Sequence, residues 1–265
     1  MALRRVSLGD LTIDDDAELS GIEAYRLLKS AVSESACSFL VPEGPSYRDR
    51  VLSWDRALFL NLTFWNGVDG VDVLCERHIP ADVVAHVGWH DVVGRQVTKM
   101  AGDHPPGAAA MFFAESIASA FDLYMVGRLL PASPDCEFIA TQVPIMTEAA
   151  ENAGLPAGDF AALLQTVADE PERAFEDLRA LLLDAASGLL ACRGAVDALR
   201  VLEGFAGHRF EPLLHHFQLS NWILYARAYG APSVTGDEVV AELDRTLRQS
   251  RDALGWLVDH WLQPQ

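Results

Sequence analysis

Met111-Phe112-Phe113-Ala114-Glu115-Ser116-Ile117-Ala118-Ser119-Ala120-Phe121-Asp122-Leu123-Tyr124 is strongly apolar and yet carries two acids. The segment around it, about 108–130, has the length and apolar spacing of one long helix, and Pro131 ends it because proline lacks the N–H that would continue the ladder. Glu115 and Asp122 stand seven apart, on one helical face, with Ser119 between them. A carboxylate is costly to bury on an apolar helix unless it is paired or bound to a metal.

The same helical period runs along almost the whole chain, with no sustained alternation of apolar and polar residues rich in β-branched types. Upstream, 20–36 reads as a helix that stops before Pro42-Glu43-Gly44-Pro45, and Ser46 is a good N-cap for a helix to 66, closed by Asn66-Gly67. That second helix is apolar on every side over 57–65, which predicts a central, buried element. An irregular link over 69–77 follows, then a helix that begins with Pro80 as its first residue and runs to about Met100.

Downstream, helices are expected over 135–154 with a break or kink at Pro144, and then over 159–168, 171–192, 195–205 and 212–229. The last expected helix spans 236–262, with Val240, Leu243, Leu247, Leu254, Leu257 and Trp261 as its apolar stripe and Asp244 and Arg248 paired outside. The expectation is therefore an all-α fold, a single compact domain over 1–265 with an irregular acidic segment at 1–17. About eight to ten helices would form antiparallel hairpins around the buried central one.

Half of the 265 residues are apolar, so a core can form without staples. The cysteines Cys37, Cys75, Cys136 and Cys192 form no C-x-x-C pair and suit a reducing compartment. The N-terminus lacks a signal-peptide pattern, and the apolar runs 57–65 and 178–192 are too short to span a bilayer; a cytoplasmic location is expected. A net charge of −18, with Lys29 and Lys99 the only lysines, disfavours nucleic acid and anionic membranes as partners. No phosphate loop, dinucleotide fingerprint or G-x-S-x-G elbow is present, so no nucleotide cofactor is expected.

His86 and His90 stand four apart in Ala85-His86-Val87-Gly88-Trp89-His90-Asp91, which stacks both side chains on one face of a helix. If the turn to the next helix is centred near residues 103 and 104, a rise of about 1.5 Å per residue sets Glu115 level with residue 92 and Asp122 level with residue 85. The acids then bracket the histidines. His86, His90 and Glu115 would ligate a divalent metal, iron or zinc, and Asp122 would be a further ligand or the general base.

His90-Asp91, followed by Val92-Val93-Gly94-Arg95, resembles the signature of HD-type phosphohydrolases over about six residues. The resemblance implies a phosphohydrolase, with an earlier histidine, for which His78 lies too close in the chain, and a later aspartate, for which Asp122 is the choice at hand. Val93 before Gly94 departs from the usual run.

His215 and His216 lie in the helix expected over 212–229, where neighbours point about 100° apart, so at most one could join a given metal. The aromatics Trp89, Phe112, Phe113, Phe121, Tyr124 and Trp222 read as core, and the acidic run 14–18 as a solvated stretch. The functional expectation is a metal-dependent enzyme, non-haem iron oxygenase-like or zinc hydrolase-like, acting on a small, largely apolar molecule. The alternative is a non-catalytic helical binding or scaffold protein that engages a protein partner; either is compatible with a homo-oligomer.

Overall fold

The computed structural model describes residues 3–15, 17–35, 37–42, 72–74, 78–102, 107–229 and 234–263. The helix expected over 46–66, most of the link after it, Cys75, and the turn residues 103–106 lie outside the described residues. The fold is all-α, a many-helix arrangement with only small strand pairs. The chain forms two compact units, 1–91 and 92–265, and the division falls inside one uninterrupted helix.

In the first unit the strands are β1 (Leu3–Ser7), β2 (Thr12–Asp14), β3 (Ser38–Pro42), β4 (Asp72–Val73) and β5 (His78–Pro80). β1 runs antiparallel to β3, with Leu3 opposite Pro42 and Ser7 opposite Ser38. β3 in turn pairs in parallel with β4, and β2 in parallel with β5. Phe39 and Val41 point inward and are nearly inaccessible, with Leu40 between them half-exposed. This is the two-residue period of a sheet with one buried face.

Residues 3–7 and 12–14 were expected to be irregular and are strands instead. Strands of three to five residues are too short for alternation to stand out, and β1 finds its partner more than thirty residues away. Helices α1 (Ala17–Ser20) and α2 (Glu23–Ser33) follow β2. α2 buries Ala24, Tyr25, Leu28 and Val32 along one stripe, and Lys29 Nζ donates to Asp15 Oδ2 at 2.6 Å. The expected single helix over 20–36 is thus a short turn, a break at Gly21, and an eleven-residue helix.

α3 (Ala81–Met100) starts directly after Pro80, with Asp82 in its first turn and Lys99 in its last, each of the sign that suits the helix dipole. Gly102 follows with φ 69°, a left-handed residue that ends the helix as glycine does most cheaply.

The second unit is organised by α4 (Ala108–Leu129). It is apolar on all sides, and seventeen of its twenty-two residues are buried. By length and mean hydropathy, 1.3, it could cross a membrane, but 83% of that window is buried inside the protein, as in the central helix of a core. Around it pack α5 (Glu137–Asn152), α6 (Ala157–Asp169), α7 (Pro171–Ala191), α9 (Leu219–Tyr229) and α10 (Val234–Gln249), and α7 makes the most extensive contact. α8 (Ala195–Glu203) packs on α7 and buries no residue fully. Each fully buried Phe or Leu on α4, such as Phe113, Phe121 or Leu123, is worth about 1.5–3 kcal/mol by transfer from water. Pro144 sits inside an unbroken α5.

Two further expected helices are broken. In place of one helix over 212–229 the chain forms a 3-10 turn, Glu211–Leu213, further turns, and then α9 from Leu219, with Gln218 left-handed at φ 49°. The expected helix over 236–262 ends at Gln249; after Ser250–Asp252 come α11 (Ala253–Leu257) and a π-helical turn over Val258–Leu262. The cause is local: the Asp252 side chain accepts from Gly255 N at 2.8 Å, and Ser250 Oγ donates to the Asp252 carbonyl, so both side chains compete with the helical ladder.

Candidate metal centre

α3 carries both histidines one turn apart. Between them in sequence, on the opposite side of the helix, Gly88 lets Leu28 of α2 come close: a Cβ added there would sit 3.1 Å from Leu28 Cγ. The neighbours Ala85, Trp89, Val92 and Val93 are buried, which fixes the rotation of the helix about its axis. His86 and His90 are each half-buried, with ring centroids 5.0 Å apart and planes inclined at 48°. The i, i+4 spacing has therefore stacked two imidazoles on one face, as the sequence implied.

Glu115 stands at the third turn of α4, half-buried, while its neighbours Ala114 and Ser116 are buried. One ligand atom from each of His86, His90 and Glu115 lies within 4.8 Å of the other two. Ligands about 2.0–2.2 Å from one ion stand roughly 3–3.5 Å apart in tetrahedral or octahedral geometry. Rotamer adjustments of a fraction of an ångström to somewhat over one would therefore close the set on a metal. Two imidazole nitrogens and one carboxylate oxygen suit zinc, iron or manganese, and leave coordination positions for water or substrate.

Asp122 is 9% exposed and lies two turns along α4 from Glu115, with Ser119 between them 4% exposed. It is not one of the three residues whose ligand atoms fall within 4.8 Å of one another. Ser116 directs its hydroxyl to the Phe113 carbonyl at 2.8 Å, so that polar side chain is satisfied by its own helix.

The remaining histidines are placed elsewhere. His78 lies on β5 opposite Thr12 of β2. His215 is exposed and His216 half-buried, both in the turns before α9 rather than on a helix as expected. Burial pushes the His216 imidazole below its ordinary pKa, and its Nδ1 is enclosed with no hydrogen-bond partner among the described residues. His260 Nδ1 is 2.8 Å from the Trp256 carbonyl and its ring stacks on Trp256, a local contact within one turn.

Sequence reasoning did not single out Arg179, whose side chain is fully buried. It binds Glu176 through two 2.7 Å bonds and Asp244 at 2.9 Å, and its guanidinium lies 5.8 Å from the centre of the Phe113 ring. An arginine in the amphipathic α7 pattern gives no warning of this, because its partner Asp244 is sixty-five residues away. Set against protein-family models, curated proteins and solved structures, the chain matches none of them.

Proposed function

We propose that this protein is a metal-dependent enzyme that holds one divalent ion through His86, His90 and Glu115. The observation that carries the reading is the convergence of those three donor atoms within 4.8 Å, on residues picked out beforehand by two separate helical spacings. Three protein ligands leave open positions, the arrangement used for catalytic zinc and for non-haem iron. The ion, bound there, would act as a Lewis acid on water or oxygen. Asp122, buried two turns along the same helix from Glu115, serves as a general base or a further ligand. The apolar setting of the group favours a small, largely apolar substrate, and an ion-dependent enzyme with reduced cysteines fits the cytoplasm.

A non-catalytic helical binding protein is the second reading. It draws on Val196, Leu199 and Leu224, large apolar side chains that are 63%, 58% and 65% exposed. Elemental analysis separates the two readings. Protein purified without a metal-affinity tag, and also after anaerobic incubation with ferrous iron or with zinc, is compared with a variant carrying both His86→Ala and His90→Ala. About one ion per chain, lost in the folded variant, supports the enzyme. Absence of stoichiometric metal under all these conditions overturns it in favour of the binding protein.

A further inference from the structure

A groove with a volume of about 930 Å³ lies wholly within residues 152–227, in the second unit, and shares no residue with the His86, His90 and Glu115 group. Small-molecule sites typically occupy about 300–1,000 Å³. Its apolar walls include Leu189 at the end of α7, Leu202 on α8, and Leu214, Ile223 and Leu224 around and along α9. Leu224 is 65% exposed at its edge.

The charged groups on the same groove are Arg193, Arg227 and a single acid, Glu211. This chain has 38 acidic residues against 20 basic ones, and most of the arginines described in the second unit are held by carboxylates, as Arg128, Arg173, Arg200 and Arg248 are. Arg193 and Arg227 have no carboxylate partner among the described residues. Arg227 uses Nη2 on the carbonyls of Leu190 and Cys192, at 3.4 and 2.7 Å, which fixes the guanidinium at the end of α7. Its Nε and Nη1 make no hydrogen bond among the described residues. The polar rim is completed by His215, Gln218 and Asn221, the last donating to Gln218 Oε1 at 2.6 Å across the left-handed turn. Left-handed backbone at a non-glycine residue is strained, and such strain is concentrated at functional sites.

We infer that this groove binds an amphipathic monocarboxylate, with its carboxylate on Arg193 and Arg227 and its alkyl or aryl body along the leucine wall. Guanidinium groups hold carboxylates through paired, charge-assisted hydrogen bonds. The net charge of −18 works against multiply charged anions such as nucleotides, which a pair of arginines cannot offset. The inference does not depend on the metal reading, because no ligand of the proposed ion lines the groove.

Calorimetric titration of the full chain, kept in EDTA, with decanoate, 1-decanol and decylamine tests it. Decanoate should bind once per chain, at least about tenfold tighter than the alcohol, and the amine should be weakest; tenfold corresponds to about 1.4 kcal/mol. Arg193→Ala, at an exposed position, should weaken decanoate about tenfold and leave decanol unchanged. Ala198→Trp, which fills the groove from α8, should remove both. No saturable binding, equal affinity for acid and alcohol, or decanoate binding untouched by Arg193→Ala in a variant with unchanged circular dichroism would each overturn the inference.

Discussion

At the scale of single residues, His216 is the side chain with the clearest consequence. Burial opposes the charged form of its imidazole, so its folded pKa lies below the unfolded value of about 6.5. The unfolded chain then binds more protons than the folded one as pH falls through that value, and stability declines toward acid. His208 acts in the same direction, burial being its main cause, with Asp177 partly opposing and Arg209 reinforcing it. Urea midpoints at pH 7.5 and 5.5 should therefore fall in the wild type, and fall less in His216→Gln. Equal falls in the two proteins would mean that His216 protonates freely in the folded state.

Arg179 illustrates the opposite case, a charge buried and paired through Nε and Nη2 with two carboxylates. Removing it leaves the carboxylates of Glu176 and Asp244 without their shared cation, and Asp244 and Asp184 then depend on Arg248 alone. Breaking a buried pair from one side costs about 3–5 kcal/mol. Because Glu176 and Asp244 stay about one-fifth exposed and water can reach them, Arg179→Ala is expected near the lower end, about 3 kcal/mol by denaturant melting. Arg179→Met, which keeps the packing against Phe113, should lose nearly as much if charge is the cause. A much milder loss for methionine would assign the effect to packing.

At the scale of elements, close approach decides which helices can pack. Gly127 of α4 faces α6, where an added Cβ would lie 2.7 Å from the Val167 carbonyl oxygen, a backbone atom that cannot swing aside. Gly127→Ala should therefore destabilise by about 1–3 kcal/mol, although alanine is the better helix former. A stabilised or neutral variant, measured by the urea midpoint, would mean that α6 shifts at little cost. Gly127 was not legible as special in the sequence, since only the approach of another helix gives it a role.

The helices themselves were legible because an apolar pattern runs over four or more turns, all round the helix in α4 and along one face in α7, and the bounds of both fall within a residue of those read from the sequence. What failed were short-range competitions. Asp252 caps a new helix in the middle of an apolar stripe that continues across it, and the expectation of one helix over 236–262 rested on that stripe alone. The turn before α9 depends on Gln218 adopting a conformation that glutamine rarely takes. The five strands are too short to show a period. His86, His90 and Glu115 were legible because two spacings on neighbouring helices can be laid side by side; Arg193 and Arg227 were not, because they meet through a fold that no motif encodes.

At the scale of the whole molecule, an ion held as proposed by His86, His90 and Glu115 would tie metal binding to stability. An ion that binds the folded chain and not the unfolded one stabilises it by about 2.7 kcal/mol at a free concentration one hundred times Kd. For a chain of this length each kcal/mol raises the melting temperature by roughly 2–4 °C, so zinc or anaerobic ferrous iron should raise it by about 5–10 °C over protein in EDTA. His86→Ala and Glu115→Gln should each abolish most of that rise while leaving the melting temperature in EDTA within a few degrees of the wild type, since both positions are half-buried. Asp122→Asn tests the ligand role: a lost rise makes Asp122 a ligand, and a retained rise leaves it only the base role of the proposed reaction. If the wild type melts at the same temperature with and without metal, the ion is not held by the folded chain, and the stacked histidines owe their place on α3 to packing alone.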